Sequence, residues 1–178
     1  MTETKSSAGG SIEGVSHFGI QVADLAKSIA FYRDLLGLEL IAEWVRDQLY
    51  IQELVGYPGV ELNVAVFRLP GSASFLEILE YRNVERHAVD PGTANPGTAH
   101  LCVYVDDLEA LHERLAAGGA RFVSPIKSPT AGPNMGGKVI YMIDPDGIRV
   151  ELLETALTLA GEPRNLSGSG NRDKEAQK

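Results

Sequence analysis

The pattern of apolar and polar positions occurs twice along the chain. In residues 14–24 and again in 97–107, a histidine opens an alternating apolar run and an acidic residue closes it. An amphipathic stretch that ends in glycine follows each run, and each copy finishes in a strand-like segment with a glutamate inside it. Alternation predicts strands and a period near 3.6 predicts helices. The sequence therefore predicts two structural repeats, each with the element order β-α-β-β-β.

Turn and cap residues set the bounds of these elements. Asp24, and Asp106 or Asp107, are predicted helix N-caps, and Gly37 is a predicted C-cap. The first repeat is predicted to have a helix at 25–37 and strands at 15–22, 38–45, 60–69 and 73–81, with a longer excursion at 46–59. The second is predicted to have a helix at 108–119 and strands at 98–105, 121–124, 138–143 and 148–153, with a loop at 125–136.

The fold class that follows is α+β, with two tandem βαβββ modules that form a cupped mixed sheet and carry their helices on the outer face. The expected organisation is one domain over 14–158, with modules at 14–81 and 97–155 and a linker at 82–96. The polar segments 1–13 and 159–178 have too little apolar surface to offset the entropy of ordering, so we expect them to be disordered.

Four polar residues inside the predicted strands share one face. Side chains alternate across a strand, so His17, Glu77, His100 and Glu151 all point away from the helix-covered face. A single histidine or glutamate at such a place is usually an ordinary surface residue. Matching positions in both repeats, 83 residues apart for the histidines and 74 for the glutamates, indicate a shared metal site. The alternative is a binding fold in which these side chains contact a ligand directly.

Composition narrows the class of partner. A net charge of −8 disfavours nucleic acid or an anionic membrane as the main partner. The single cysteine, Cys102, cannot form an internal disulfide, and no apolar run of about 18 residues or signal peptide is evident. We therefore expect a cytoplasmic protein that acts on a small molecule.

Five segments carry a resemblance to a known family. They read HFGI at 17–20, FYRDLLGL at 31–38, FLEIL at 75–79, AHL at 99–101 and DPDGIRVEL at 144–152. In this order they resemble the vicinal oxygen chelate superfamily, in particular metalloenzymes of the glyoxalase I and methylmalonyl-CoA epimerase type. The resemblance implies that His17, Glu77, His100 and Glu151 ligate a divalent metal, and that the protein is a homodimer.

Two imidazole and two carboxylate donors suit Ni, Co, Mn, Zn or Fe(II) better than Mg. Two free octahedral positions would let a substrate chelate through vicinal oxygens, and this favours an isomerase, epimerase or lyase that forms a metal-chelated enolate. By resemblance to glyoxalase I, Glu151 is the first choice of catalytic base and Glu77 the second. Glu61 also lies near the place of an epimerase carboxylate, but an insertion makes that alignment loose.

Alternatives stay open at this point. Methylmalonyl-CoA epimerases commonly carry Gln in place of Glu77. The sequence shows no clear basic cluster for glutathione, although Arg33, Arg46 and Lys138 could serve. An Fe(II) ring-cleaving dioxygenase, which needs one carboxylate fewer, and a metal-free binding or resistance protein are the competing functions.

Several other residues are weaker candidates for a functional role. His87 and His112 are expected to be solvated, and Gln21, Cys102 and Tyr104 to share the site face. The loop 128–137, with Met135, is a candidate lid.

Overall fold

The computed structural model describes residues 10–156 and divides into two units, the first ending at Arg86 and the second beginning at His87. The segments predicted to be disordered, 1–13 and 159–178, lie outside the described residues apart from 10–13, which are exposed and without regular structure.

The first unit is a four-stranded mixed sheet with the strand order β1-β4-β3-β2. Strand β1 runs parallel to β4, and the other neighbours are antiparallel. Its elements are β1 (His17–Gln21), α1 (Leu25–Ile29), a π-helix (Ala30–Leu36), β2 (Leu40–Arg46), α2 (Leu49–Val55), β3 (Glu61–Arg68) and β4 (Phe75–Arg82).

The predicted caps of the first helix are present. The Asp24 side chain accepts a hydrogen bond from the Lys27 backbone N–H at 3.1 Å, which satisfies one of the free donors at the helix start. Gly37 ends the helical segment with φ of 95°, a conformation that a side chain would disfavour. Between these caps, Tyr32 is fully buried and its ring lies 6.0 Å from that of Phe67 on β3. Helix and sheet are therefore joined through an aromatic core.

The excursion at 46–59 contains a helix, α2, which the sequence pattern did not indicate. Ile51 of α2 packs in one buried cluster with Val64 and Val66 of β3. Val66 is the register partner of Glu77, so this cluster lies on the face that carries Glu77. The helix α2, which was not predicted, therefore packs on the face of this sheet opposite to the one that Tyr32 covers.

The second unit repeats the topology with the strand order β5-β8-β7-β6 and a parallel β5–β8 pair. Its elements are β5 (His100–Tyr104), α3 (Leu108–Ala117), β6 (Arg121–Phe122), β7 (Lys138–Ile143) and β8 (Arg149–Glu154). Buried apolar side chains of α3, β7 and β8 form its core, and they include Leu108, Leu115, Ile140, Met142, Val150 and Leu152. Of the two possible N-caps, Asp107 is the one used, because its carboxylate accepts from the Ala110 N–H at 3.0 Å.

A buried carboxylate links β8 to the start of α3. Glu154 is only 3% exposed, and its Oε2 accepts a hydrogen bond from the Leu108 backbone N–H at 2.7 Å. The Lys138 ammonium lies 3.4 Å from its Oε1. Glu154 is therefore an anion placed at a helix N-terminus, where the helix dipole favours it.

The predicted fold class is confirmed as two tandem βαβββ modules, with α2 added to the first. The strand ends lie within two residues of their predicted positions, and the short strand predicted at 121–124 spans only two residues. Within residues 10–156, no helix has the length and apolar character needed to cross a membrane.

Candidate metal centre

In the first unit, the structure brings His17 and Glu77 together. His17 Nε2 lies 3.4 Å from Glu77 Oε2, although the two residues are 60 positions apart in sequence. The other ring nitrogen, Nδ1, lies 3.3 Å from the hydroxyl of Ser16. If Nδ1 carries the proton and donates it to this hydroxyl, Nε2 presents a lone pair toward the carboxylate side, as a metal-ligating histidine does.

In the second unit, His100 and Glu151 form the corresponding pair. His100 Nε2 lies 3.1 Å from Glu151 Oε2. In the parallel register, His17 is level with Phe75 and His100 with Arg149, so each glutamate lies two residues beyond the partner of its histidine. The two units therefore build the same pair from the same register, which the internal repeat predicted.

The separation between the paired atoms fits two ligands of one metal ion. Donors bonded to a metal at about 2.1 Å lie about 3.0 Å apart when their bonds are at right angles and about 3.4 Å apart in a tetrahedral arrangement. The observed 3.1 and 3.4 Å fall within this range. Imidazole nitrogen with carboxylate oxygen is also a donor set that Zn, Ni, Co, Mn and Fe(II) accept. Each pair therefore fits a divalent transition metal.

One unit alone supplies only this pair. Over the described positions, 10 to 156, neither unit gathers three or more His, Cys, Asp or Glu side chains in an arrangement able to hold a metal ion. The set of four ligands remains a prediction.

The two carboxylates have different neighbours across the strands. Glu77 lies between Gly19 of β1 and Val66 of β3, neither of which has a polar side chain. Glu151 lies between Cys102 of β5 and Tyr141 of β7. The Tyr141 hydroxyl donates to Glu151 Oε2 at 3.0 Å. Only the second carboxylate is therefore flanked by polar side chains on both strands.

The Glu151 carboxylate makes both neighbours weaker acids. Burial, followed by the hydrogen bond to Glu151 and its negative charge, raises the pKa of the Tyr141 phenol to about 12. Cys102 is exposed overall, but partial desolvation of its sulfur and the charge of Glu151 raise the pKa of its thiol to about 11. Tyr141 and Cys102 therefore keep their protons at neutral pH.

A family model decides the identity of the fold. The model of the Glyoxalase/Bleomycin resistance protein/Dioxygenase superfamily matches residues 14–152. The chain belongs to this superfamily. The resemblance to vicinal oxygen chelate proteins noted in the sequence is thereby confirmed.

Relatives within the superfamily carry the names of lyases and epimerases. The chain is 29% identical over 150 residues to a lactoylglutathione lyase of Haemophilus influenzae, which covers 83% of this chain and 96% of that one. It is 29% identical over 143 residues, 78% of each chain, to a 2-epi-5-epi-valiolone epimerase of an Actinomyces species. A glyoxalase family protein of Bacillus cereus superposes with a TM-score of 0.70 at 19% identity, over 83% of this chain and 97% of that one, and supports the fold alone.

Within this superfamily member, the three basic residues suggested by sequence have local partners. Arg33 pairs with Asp34 at 2.6 Å, and the Arg46 guanidinium lies 4.9 Å from the centre of the Trp44 ring. Lys138 pairs with Glu154 on the α3 side of the sheet. The registers place two arginines on the His100 face: Arg149 of β8, which is level with His100, and Arg121 of β6, in the same row. Strand alternation around Glu151 could have revealed Arg149.

The structure also locates the minor candidates. His87 is exposed, as predicted. His112 is not simply solvated, because its ring is half-buried and lies 4.5 Å from the Phe122 ring. Gln21 and Tyr104 are exposed on the strand faces that carry His17 and His100, and Met135 is exposed in the loop proposed as a lid. Glu61 starts β3 and lies 3.9 Å from Arg82, so it is not part of the His17–Glu77 pair.

The raised pKa predicts that Cys102 reacts slowly with alkylating reagents. Only the thiolate is nucleophilic, and a thiol pKa of about 11 in place of 9.0 lowers the thiolate fraction near pH 8 about 100-fold. In metal-free protein, the rate of iodoacetamide labelling should keep rising with pH beyond pH 10. In Glu151→Gln the midpoint should fall only part of the way to 9.0, because burial is the larger cause. A labelling rate that levels off near pH 9 in the unaltered protein would contradict this prediction.

Proposed function

We propose that the protein is a divalent-metal-dependent isomerase, epimerase or lyase that transfers a proton next to a carbonyl group. The observation that carries the proposal is the repeated His–Glu pair, with nitrogen–oxygen separations of 3.4 and 3.1 Å. The names of the lyase and epimerase relatives support the same reaction class. The expected substrate is a small molecule with two neighbouring oxygen atoms.

His17, Glu77, His100 and Glu151 are the proposed ligands of the metal, which is Ni, Co, Mn, Zn or Fe(II). A divalent cation held by them would polarise the substrate carbonyl and stabilise the negative charge that develops as the adjacent proton leaves. The two imidazoles would help to hold the cation beside the carboxylates, because each Nε2 lies within 3.4 Å of its glutamate.

The carboxylates are the proposed proton acceptors and donors. Their side chains are 22% exposed for Glu77 and 17% for Glu151, so each is shielded from bulk water yet open to a substrate on the sheet face. Glu151 is the first choice and Glu77 the second. Removal of the proton by one carboxylate and delivery of a proton by the other to the opposite face of the carbon would give epimerisation. Return of the proton by one carboxylate to the neighbouring carbon would give isomerisation.

A homodimer is part of the proposal. Because each unit holds only one pair of donors, the four ligands come either from one chain or from two chains of the dimer. Mixing a His17→Ala chain with a His100→Ala chain distinguishes these cases, since only a site shared between subunits regains one intact set of ligands.

The test combines metal analysis with isotope exchange. Protein purified without chelators should contain close to one Ni, Co, Mn or Zn ion for each set of four ligands. In deuterium oxide it should catalyse incorporation of deuterium next to the carbonyl of hemithioacetals or acyl-CoA thioesters, and chelation followed by dialysis should abolish the exchange. Bound iron together with oxygen uptake on catechols would instead establish a dioxygenase. Failure to bind any metal after reconstitution would leave a binding protein and exclude the proposed mechanism.

A further inference from the structure

Tyr141 occupies a place that the proposed reaction does not yet use. It stands on β7 as the register partner of Glu151, and Cys102 is the partner of Glu151 on the other side. The three side chains form a row across the sheet on the face that carries His100. Tyr141 is therefore built into the face of the second-unit pair.

Its contacts reach both members of that pair. The phenol donates to Glu151 Oε2 at 3.0 Å, and the same hydroxyl lies 3.5 Å from His100 Nε2. The Tyr141 and His100 rings meet nearly at right angles, with an interplanar angle of 78° and centroids 5.4 Å apart. One side chain thus restrains the carboxylate by a hydrogen bond and the imidazole by packing.

The first unit provides an internal comparison. The position equivalent to Tyr141 is Val66, which pairs in register with Glu77 and has no hydroxyl to donate. The nitrogen–oxygen separation is 3.4 Å there and 3.1 Å in the second unit. His17 and Glu77 are also more exposed than His100 and Glu151, at 49% and 22% against 39% and 17%. The pair with the tyrosine is the closer and more enclosed one.

We propose that Tyr141 is a positioning residue, which holds the Glu151 carboxylate beside His100 so that this pair is preformed for a divalent cation. The inference rests on the proposed metal-dependent function. In the first unit, Val66 stands at the equivalent position and gives Glu77 no such hydrogen bond.

Residues that orient metal ligands in other proteins indicate how much metal affinity should be lost without the Tyr141 hydroxyl. Loss of a hydrogen bond to a ligating side chain typically weakens metal binding by 10- to 100-fold. Tyr141→Phe removes the hydroxyl and keeps the aromatic ring, so the packing against His100 survives. The substitution should therefore change the binding of the metal and leave the fold unchanged.

The experiment uses the full chain, stripped of metal and titrated with Co(II) or Zn(II) against a competing chelator. Tyr141→Phe should bind about 10- to 100-fold more weakly. The visible absorption of its Co(II) form should also change, because the Glu151 ligand is reoriented. Tyr104→Phe is the control. It also removes a tyrosine hydroxyl from the face that carries His100, but on β5, and it should match the unaltered protein in both measurements. The thermal midpoints of the metal-free proteins should agree, and a variant that melts earlier is titrated again well below its transition.

The outcomes separate the two proposals. If the unaltered protein binds metal and Tyr141→Phe binds it equally well with the same spectrum, the role of Tyr141 is excluded and the metal site stands. Equal weakening by Tyr104→Phe also excludes it, since the effect would then not depend on the contact with Glu151. If the unaltered protein binds no Co(II) or Zn(II), both the proposed function and this inference fail.

Discussion

Replacing Glu151 with Ala is expected to abolish metal binding and activity while leaving the fold intact. The substitution removes one of the two donors of the second-unit pair, whose partner atom lies 3.1 Å away. Because a direct ligand is lost, metal affinity should fall by more than the 10- to 100-fold that is typical when a residue hydrogen-bonded to a ligand is lost. The proton-transfer rate should fall by about 10²- to 10⁴-fold, the usual contribution of a general base.

Elemental analysis and chelator competition measure the first effect, and isotope exchange measures the second. Glu61→Ala is the matched control, because Glu61 is also a carboxylate at a strand position and lies beside Arg82 instead of a histidine. It should keep the metal. Retention of a full complement of metal by Glu151→Ala would remove Glu151 from the ligand set.

Replacing Glu154 with Ala, three residues further along the same strand, is expected to have the opposite result. This carboxylate is buried, caps the start of α3 through the Leu108 N–H and neutralises Lys138. Its loss leaves a buried helix donor without its acceptor, which costs about 2–3 kcal/mol of unfolding free energy. For a chain of this length, the midpoint should fall by about 5–10 °C.

Thermal unfolding of the metal-free protein, followed by circular dichroism, tests this effect. Glu109→Ala is the control, because Glu109 also pairs with Lys138, at 3.2 Å, but is 68% exposed. It should change the midpoint little, as exposed ion pairs contribute little. Glu154→Ala that is still folded should bind metal normally. If both Glu154→Ala and Glu109→Ala leave the midpoint unchanged, the buried cap has no measurable role in stability.

Together these two variants separate the functional and structural glutamates of β8. Sequence pattern alone distinguishes them only in part. The pattern Ile148-Arg149-Val150-Glu151-Leu152 places Glu151 opposite the apolar residues, which is why it could be predicted as a ligand. Glu154 follows Leu153, and its burial depends on where α3 begins, because it accepts a hydrogen bond from the N–H of Leu108.

The elements that could not be predicted depend on contacts distant in sequence. Residues 49–55 were predicted only as part of the excursion at 46–59, and α2 is stabilised because Ile51 packs on the apolar residues of β3. Tyr141 could not be assigned to Glu151 from spacing alone, since their pairing depends on the register that the turn between β7 and β8 sets. His112 was expected to be solvated, yet Phe122 packs against its ring.

The sequence by itself determined the repeat, the βαβββ order and the strand face that the two histidines and two glutamates share. Alternation and helical period are local properties, which do not depend on a partner strand. The tertiary structure decided the surroundings of each pair: Gly19 and Val66 beside Glu77, and Cys102 and Tyr141 beside Glu151. Strand register sets these neighbours, because a shift of one residue would exchange the faces of every side chain.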